Sequence, residues 1–228
     1  KIVGGDIKAI GASSAAGIGS GNGATSDTDI IISGTAKIEA ESDYYGAGIG
    51  SGKGSTGKTN IIIKGGTIVK AKGGSGGAGI GSGDSAKGDT DIKIKNSNVT
   101  AKGFIDVRYV SHGTGIGSGL SSSGKTTIDI SGGTVKATGS GDGYKGSAGI
   151  GSGSYSTGDT SITLRDGVTV TATGGGNSSL GGGGGAGIGS GSDANGNTTI
   201  LIEGAAKVTA AGGSTAAGIG SGHYVGDI

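Results

Sequence analysis

The sequence predicts an all-β fold, a parallel β-helix (β-solenoid) of about seven coils with three short strands per coil. The segment Gly-Ile-Gly-Ser-Gly occurs seven times, with its isoleucine at positions 18, 49, 80, 116, 150, 188 and 219, so that each coil has 31–38 residues. A repeat of this length indicates a stacked or radial architecture. Each copy after the first is preceded by two runs in which β-branched residues occupy alternate positions. No segment has the apolar period that is typical of a helix.

The three strands are predicted to follow in the same order in each coil. The first reads Thr-x-Ile-x-Ile, as at 28–32 and 90–94, and the second reads Ile-x-Ala or Val-x-Ala, as at 38–40 and 135–137. The third is the Gly-Ile-Gly-Ser-Gly segment itself. Alternate residues of each strand are expected to face inward, where their columns form a thin continuous core. A β-propeller blade needs four strands and a longer repeat, so the propeller ranks second.

Outward positions give an independent check on the stacking. The residues that precede the first strands are Asp27, Lys58, Asp89, Lys125, Asp159 and Asn197. Coils stacked in register would bring these opposite charges side by side, which stabilises a sheet by roughly 0.2–1 kcal/mol per pair. The same register would place Glu39 beside Lys70 and Glu41 beside Lys72.

Composition excludes several classes of protein. Glycine accounts for 60 of the 228 residues, but the net charge is only +1 and the repeat is regular, which favours an ordered chain. The sequence has no proline and no cysteine, which excludes collagen, disulfides and thiolate metal sites. No apolar run is long enough to span a membrane, so no membrane insertion is expected. With only two arginines and no basic stripe, we expect no nucleic-acid partner.

The whole chain, residues 1–228, is predicted to form one domain. Residues 2–9 match the end of a first strand and a complete second strand, and residues 226–228 match the entry to another coil. Neither end has a polar capping element. We therefore expect a fragment of a longer protein, with end-to-end or face-to-face self-association as an alternative.

The glycines of the third strand permit two interpretations. They are needed for tight corners and the close approach of another backbone, or they form a flat surface that docks a polymer, a second protein or a crystal face such as ice. An ice-binding array must repeat a threonine pattern from coil to coil. Charged residues at most of the corresponding positions, such as Glu39 and Lys70, argue against it.

Paired aspartates beside glycine suggest a structural calcium ion, held by Asp27 with Asp29 or by Asp89 with Asp91. Lysine in alternate coils of the same column argues against this site. Apart from this calcium alternative, we expect no cofactor.

The connection between the second and third strands varies in length and contains most of the aromatic residues, which predicts that it carries function. Aromatic faces that stack on sugar C–H groups, beside polar and charged side chains, are typical of glycan sites. The candidate ligand-binding residues are Tyr44, Tyr45, Phe104, Asp106, Arg108, Tyr109, His112 and Tyr144. The alternative is that the apolar residues of 104–112 pack together and merely close the corner.

No catalytic residues are expected. Lyases and hydrolases on β-helices need a basic residue or paired carboxylates in a groove. Asp106, Arg108 and His112 are close in sequence, but no second carboxylate is predicted to converge on them. A polysaccharide lyase or hydrolase is the alternative function.

The motifs Ala-Gly-Ile-Gly-Ser-Gly, Thr-x-Ile-x-Ile and Gly-Gly-Thr-Val-x-Ala resemble glycine-rich repeats of large surface proteins of Gram-positive and anaerobic bacteria, some of them carbohydrate-binding β-helix or adhesin-like domains. The resemblance covers residues 2–222, and the segment 104–112 departs from it. It implies an extracellular location on the bacterial cell surface. It also implies an adhesin, carbohydrate-binding or stalk role, with a polysaccharide or a host or neighbour-cell glycan as partner, and it supplies no catalytic residues.

Overall fold

The computed structural model describes residues 1–104, 112–142, 145–176 and 182–223. In this part of the chain the secondary structure consists of β-strands that wind into a parallel β-helix. The strands are β1 (Asp6–Gly11), β2 (Ile18–Gly19), β3 (Thr28–Ile32), β4 (Lys37–Ser42), β5 (Ile49–Gly50), β6 (Thr59–Lys64), β7 (Ile68–Lys72), β8 (Ile80–Gly81), β9 (Thr90–Lys102), β10 (Ile116–Gly117), β11 (Thr126–Thr138), β12 (Ile150–Gly151), β13 (Thr160–Arg165), β14 (Thr169–Thr173), β15 (Ile188–Gly189), β16 (Thr198–Ile202), β17 (Lys207–Ala211) and β18 (Ile219–Gly220).

Two parallel sheets make up the walls of the solenoid. The third strands of the coils form a 7-stranded sheet in chain order, and the first and second strands together form an 11-stranded sheet. Equivalent residues pair from coil to coil, as Ile49 does with Ile80 and Ala40 with Ala71. The predicted fold and register are therefore confirmed.

One feature of the coils differs from the prediction. Strands β9 and β11 each run for 13 residues, so the first and second strands of these coils are continuous instead of separate. At the bend, Asn96 (φ 47°) and Gly132 (φ 60°) both adopt the left-handed conformation. The ladder skips these two residues and resumes with Ser97 opposite Gly133, so the chain turns without losing its pairing.

The predicted inward columns form the core. Ile61, Ile92 and Ile128 are at most 1% exposed, and the valine and alanine columns of the second strands are buried beside them. The coils at both ends are less buried, and at the C-terminal end no described coil covers the outer side. There, Ile202 is 38% exposed and Ile219 is 48% exposed.

The outward charge ladder has the predicted register, but among the described residues its neighbouring side chains form no ion pairs with one another. Aspartate carboxylates instead accept backbone N–H bonds from the next residue of the column: Asp27 from Lys58 (2.8 Å), Asp89 from Lys125 (2.9 Å) and Asp159 from Asn197 (2.9 Å). The Lys58 ammonium lies 2.8 Å from Asp91, and this contact raises the pKa of Lys58. The expected neighbours Glu41 and Lys72 do form an ion pair, at 3.8 Å.

Among the described residues, no helix is long and apolar enough to cross a membrane.

Candidate functional site

The third segment of each coil is an arch closed around its isoleucine. In the second coil the Ala47 N–H donates to the Ser51 carbonyl oxygen (3.0 Å), while Ile49 points into the core. Gly50 has a φ of 140°, and a Cβ built on it would lie 1.8 Å from the carbonyl oxygen of Gly81 in the next coil. The middle glycines of all seven copies have φ between 131° and 145°. Glycine is required here because neighbouring backbones meet.

The alternative of an exposed flat glycine face is therefore wrong. In the interior coils the arch residues are buried, as residues 46–52 show. The space beside each glycine is filled by the backbone of an adjacent strand or coil. Gly48, for example, faces the backbone of Lys72 and Gly79. No docking surface for a polymer or for ice is available on the interior arches.

A ladder of buried serines accompanies the glycines. In the first six arches the serine Oγ accepts a hydrogen bond from the backbone N–H of the last arch glycine in the next coil. The donor–acceptor pairs are Gly52–Ser20, Gly83–Ser51, Gly119–Ser82, Gly153–Ser118, Gly191–Ser152 and Gly222–Ser190, at 2.9–3.2 Å. Ser82 and Ser118 also contact a second column of hydroxyls, at Ser122 (3.3 Å) and Ser156 (3.2 Å).

Sequence reasoning missed the role of this serine. The available signal was a polar residue repeated without change on the same alternating face as a buried isoleucine. A buried hydroxyl has to find a hydrogen-bond partner, and in a stacked fold the next coil is the nearest source of one.

The variable corner, the connection between the second and third strands, differs from the arches at residues 43–45, where the side chains project outward. Tyr44 is 57% exposed and Tyr45 is 37% exposed. Their ring centroids are 6.4 Å apart and the ring planes are inclined by 34°. The two predicted site residues therefore form one exposed aromatic platform, which we call the tyrosine platform.

The tyrosine platform is held from the next coils. The Lys53 ammonium lies 3.9 Å from the centroid of the Tyr45 ring and 3.3 Å from the Asp84 carboxylate. Asp84 is buried, its carboxylate accepts a bond from Ser85 Oγ (2.7 Å), and its backbone N–H donates to the Tyr45 carbonyl oxygen (2.9 Å). Because Asp84 fixes the lysine and the lysine lies on the ring, Tyr45 is held in place. Lys53 and Asp84 were not among the predicted site residues.

Phe104 lies at another level of the same corner. It is half-buried, and the Lys72 ammonium lies 5.1 Å from its ring centroid. The other predicted site residues of the corner, Asp106, Arg108, Tyr109 and Tyr144, lie outside the described residues.

His112 is inside the corner and is only 2% exposed. Its backbone N–H donates to the Ser75 carbonyl oxygen (3.0 Å), its Nε2 lies 3.5 Å from Asp142, and its Nδ1 has no hydrogen-bond partner among the described residues. Burial lowers the pKa of His112, and the nearby Asp142 carboxylate only partly opposes this shift. The ring therefore packs within the corner and does not face solvent.

A second charged cluster that sequence reasoning missed lies in the following coils. Lys145 forms an ion pair with Asp193, and its ammonium is 5.7 Å from the Tyr155 ring centroid. Its backbone N–H donates to the Asp142 carboxylate (2.8 Å). Tyr155 is 44% exposed. The spacing of Lys145, Tyr155 and Asp193 in the sequence does not indicate this cluster, because their approach depends on the length of each corner.

The four aspartates that were predicted as calcium ligands already interact with hydrogen-bond donors of the protein. Besides the contacts of Asp27, Asp89 and Asp91 described above, Asp29 accepts a bond from the Asn60 side chain (3.0 Å). Within the described residues, no group of three or more histidine, aspartate or glutamate side chains is arranged to hold a metal. Calcium binding stays a prediction.

Comparison with known proteins identifies the repeat but no individual relative. A family model described as a beta helix repeat matches six stretches that together cover more than half of the chain: residues 1–22, 30–53, 61–84, 92–120, 128–154 and 200–223. No curated protein and no solved structure matches the chain. The matched stretches contain six of the seven arches and the strands stacked beside them. The chain belongs to the β-helix repeat family.

Proposed function

We propose that this chain is a non-enzymatic glycan-binding module of a bacterial surface protein, with an adhesin or stalk role. The observation that carries the proposal is the tyrosine platform, two adjacent aromatic rings exposed to solvent on a rigid solenoid corner. Aromatic rings supply apolar contact area, and few torsion angles have to be frozen when a ligand binds.

The surroundings of the platform suit a sugar. Asp43 is exposed directly before Tyr44, so its carboxylate can accept hydrogen bonds from sugar hydroxyls. Lys53 and Asp84 hold Tyr45 in place before any ligand arrives, which reduces the entropic cost of binding. Apolar contact and orienting polar groups are thus present in one place.

Several described charged groups near the corner are held by partners, which favours binding over catalysis, although the Asp43 carboxylate is exposed. Asp84 and Asp193 form ion pairs with Lys53 and Lys145. On the adjacent wall, Arg165 donates two hydrogen bonds to Asp129, at 3.0 and 2.8 Å, and this contact raises its pKa further, so the guanidinium is not a base. A lyase or hydrolase needs an acid or base free to exchange protons with the substrate.

A glycan array probed with wild type and with a Tyr44→Ala/Tyr45→Ala variant tests the proposal. The matched control is Tyr155→Ala, which removes a tyrosine of similar exposure elsewhere. We expect wild type and the control to retain the same glycans and the double variant to lose them. If none of the three proteins retains a glycan, or if the double variant binds like wild type, the proposal is wrong.

Two further measurements test the rest of the proposal. Release of reducing or unsaturated sugars from polysaccharides incubated with the protein would favour the enzymatic alternative. Antibody labelling of intact cells tests the surface location, and labelling that appears only after cell lysis would contradict it.

A further inference from the structure

The outward side of the second strands is a flat face with three columns of side chains along the solenoid. We call it the outer face. It consists of the outward residues of β4, β7, the ends of β9 and β11, β14 and β17, which pair in register throughout. Its middle column reads Glu39, Lys70, Thr100, Lys136, Thr171 and Thr209, and the column beside it reads Glu41, Lys72, Lys102, Thr138, Thr173 and Ala211.

Positive charge accumulates in the middle of this face. Lys72 and Lys102 are direct neighbours in register, about 4.8 Å apart along the stack. Like charges at this distance destabilise a sheet. Glu41 pairs with Lys72, whereas Lys70, Lys102 and Lys136 form no ion pair with any described residue. The fold thus keeps an unbalanced cationic strip that its own stability does not require.

Hydroxyl groups continue the strip toward the later coils. Thr134, Thr169, Thr171, Thr173 and Thr209 are exposed on the outer face at the regular spacing of the strands. A groove of about 330 Å³ at the start of the strip is lined by Lys70, Lys72, Thr100 and Lys102, and also by Glu39 and Glu41. Regularly spaced ammonium and hydroxyl groups along a face are complementary to a linear polymer that carries both acidic groups and hydroxyls.

From this arrangement we infer that the outer face binds a linear anionic polysaccharide aligned with the solenoid axis. Ammonium groups of Lys70, Lys72 and Lys102 pair with its acidic groups, and the threonine hydroxyls bond to its sugar hydroxyls. A single-stranded nucleic acid fits less well, because its recognition uses aromatic rings among the basic residues, and the outward columns of the described face contain none. The inference shares the ligand class of the proposed function but uses a separate surface.

The test compares two matched pairs of lysines. Lys72→Gln/Lys102→Gln removes the neighbouring charges of the outer face. Lys64→Gln/Lys95→Gln removes an equally adjacent pair of lysines from the first strands, outside the outer face. Binding of each protein to polygalacturonate is measured by affinity electrophoresis and calorimetry at two salt concentrations. Hydroxyethylcellulose serves as neutral probe and single-stranded oligo-dT as nucleic-acid probe.

We expect wild type to bind polygalacturonate, more weakly at high salt. The outer-face variant should lose affinity by about tenfold and the other pair should not. The inference is overturned by no binding to polygalacturonate, by equal losses in both variants, or by tighter binding to oligo-dT. The Tyr44→Ala/Tyr45→Ala protein separates the two proposals. If this protein still binds polygalacturonate but no longer binds the glycan array, both proposals are supported. If it loses all binding while the Lys72→Gln/Lys102→Gln variant binds like wild type, only the outer-face inference is overturned.

Discussion

The arches and the variable corner lie next to each other in every coil and obey opposite constraints. An arch such as residues 47–51 is buried, and its glycine and serine contact the backbone of the next coil. The corner at residues 43–45 has its side chains exposed. The difference teaches that residue identity repeats where backbones of successive coils meet, and varies where side chains point to solvent.

Because the coils stack, the contributions of the arches to the stability of the solenoid add up. Each coil of a solenoid contacts only its neighbours, so stability is the sum of coil and interface contributions. A Cβ added to a middle arch glycine collides with the backbone of the next coil, whereas a change on the outside of a corner leaves the stack intact. Four predictions test this contrast, in order of decreasing effect on stability.

The largest effect is expected from Gly81→Ala. The added Cβ would lie 1.8 Å from the Gly117 carbonyl oxygen at a φ of 140°, so the coils must separate. We expect a loss of more than about 4 kcal/mol in the free energy of unfolding, or no folded protein. Gly54→Ala is the control, because its φ is 63° and nothing lies within 4 Å, and it should cost about 1–2 kcal/mol. Urea unfolding followed by circular dichroism measures both, and similar losses would contradict the arch interpretation.

A smaller loss is expected from Ser82→Ala. This change removes the acceptor of the Gly119 N–H bond (2.9 Å) in a buried site, which should cost about 1–3 kcal/mol. Ser123→Ala, at an exposed position of the following turn, is the control and should change stability by less than about 0.5 kcal/mol. Thermal and urea unfolding of the two variants measure both changes in stability. Equal stability of both would mean that the serine ladder is not stabilising.

Acid should destabilise the corner through His112. Burial lowers the pKa of this histidine in the folded protein below its usual value of 6.5, so the unfolded chain takes up a proton first as the pH falls. Stability is therefore expected to decrease with falling pH, beginning near the unfolded pKa and levelling off below the folded one. His112→Gln should remove this part of the pH dependence and His223→Gln should retain it. Unfolding curves between pH 8 and about pH 4 measure it, and identical slopes in both variants would contradict the assignment.

The smallest effect on stability is expected from Tyr44→Ala. The ring is 57% exposed, so the free energy of unfolding should change by less than about 0.5 kcal/mol. The proposed glycan binding should nevertheless be lost. A large loss of stability would indicate that the tyrosine platform packs the corner and is not a binding surface.

The column of charged residues that precedes the first strands shows what the sequence could and could not predict. Alternation and repeat spacing predicted its register correctly. They did not predict that Asp27 and Asp89 accept backbone bonds from the next coil, or that Lys58 pairs with Asp91. A sequence pattern gives the neighbours of a residue, but the choice among several donors within reach depends on distances of an ångström or less.

The sequence by itself determined the coils and the inward columns, because a regular repeat of β-branched residues has one economical way to bury its apolar side chains. Only the tertiary structure decided that the arch glycines are buried, that the arch serines form a ladder, and that Lys53 and Asp84 hold Tyr45. These features arise between residues of different coils, at distances that the length and curvature of each corner set. For the same reason the lysines of the outer face became a strip only once the coils were stacked.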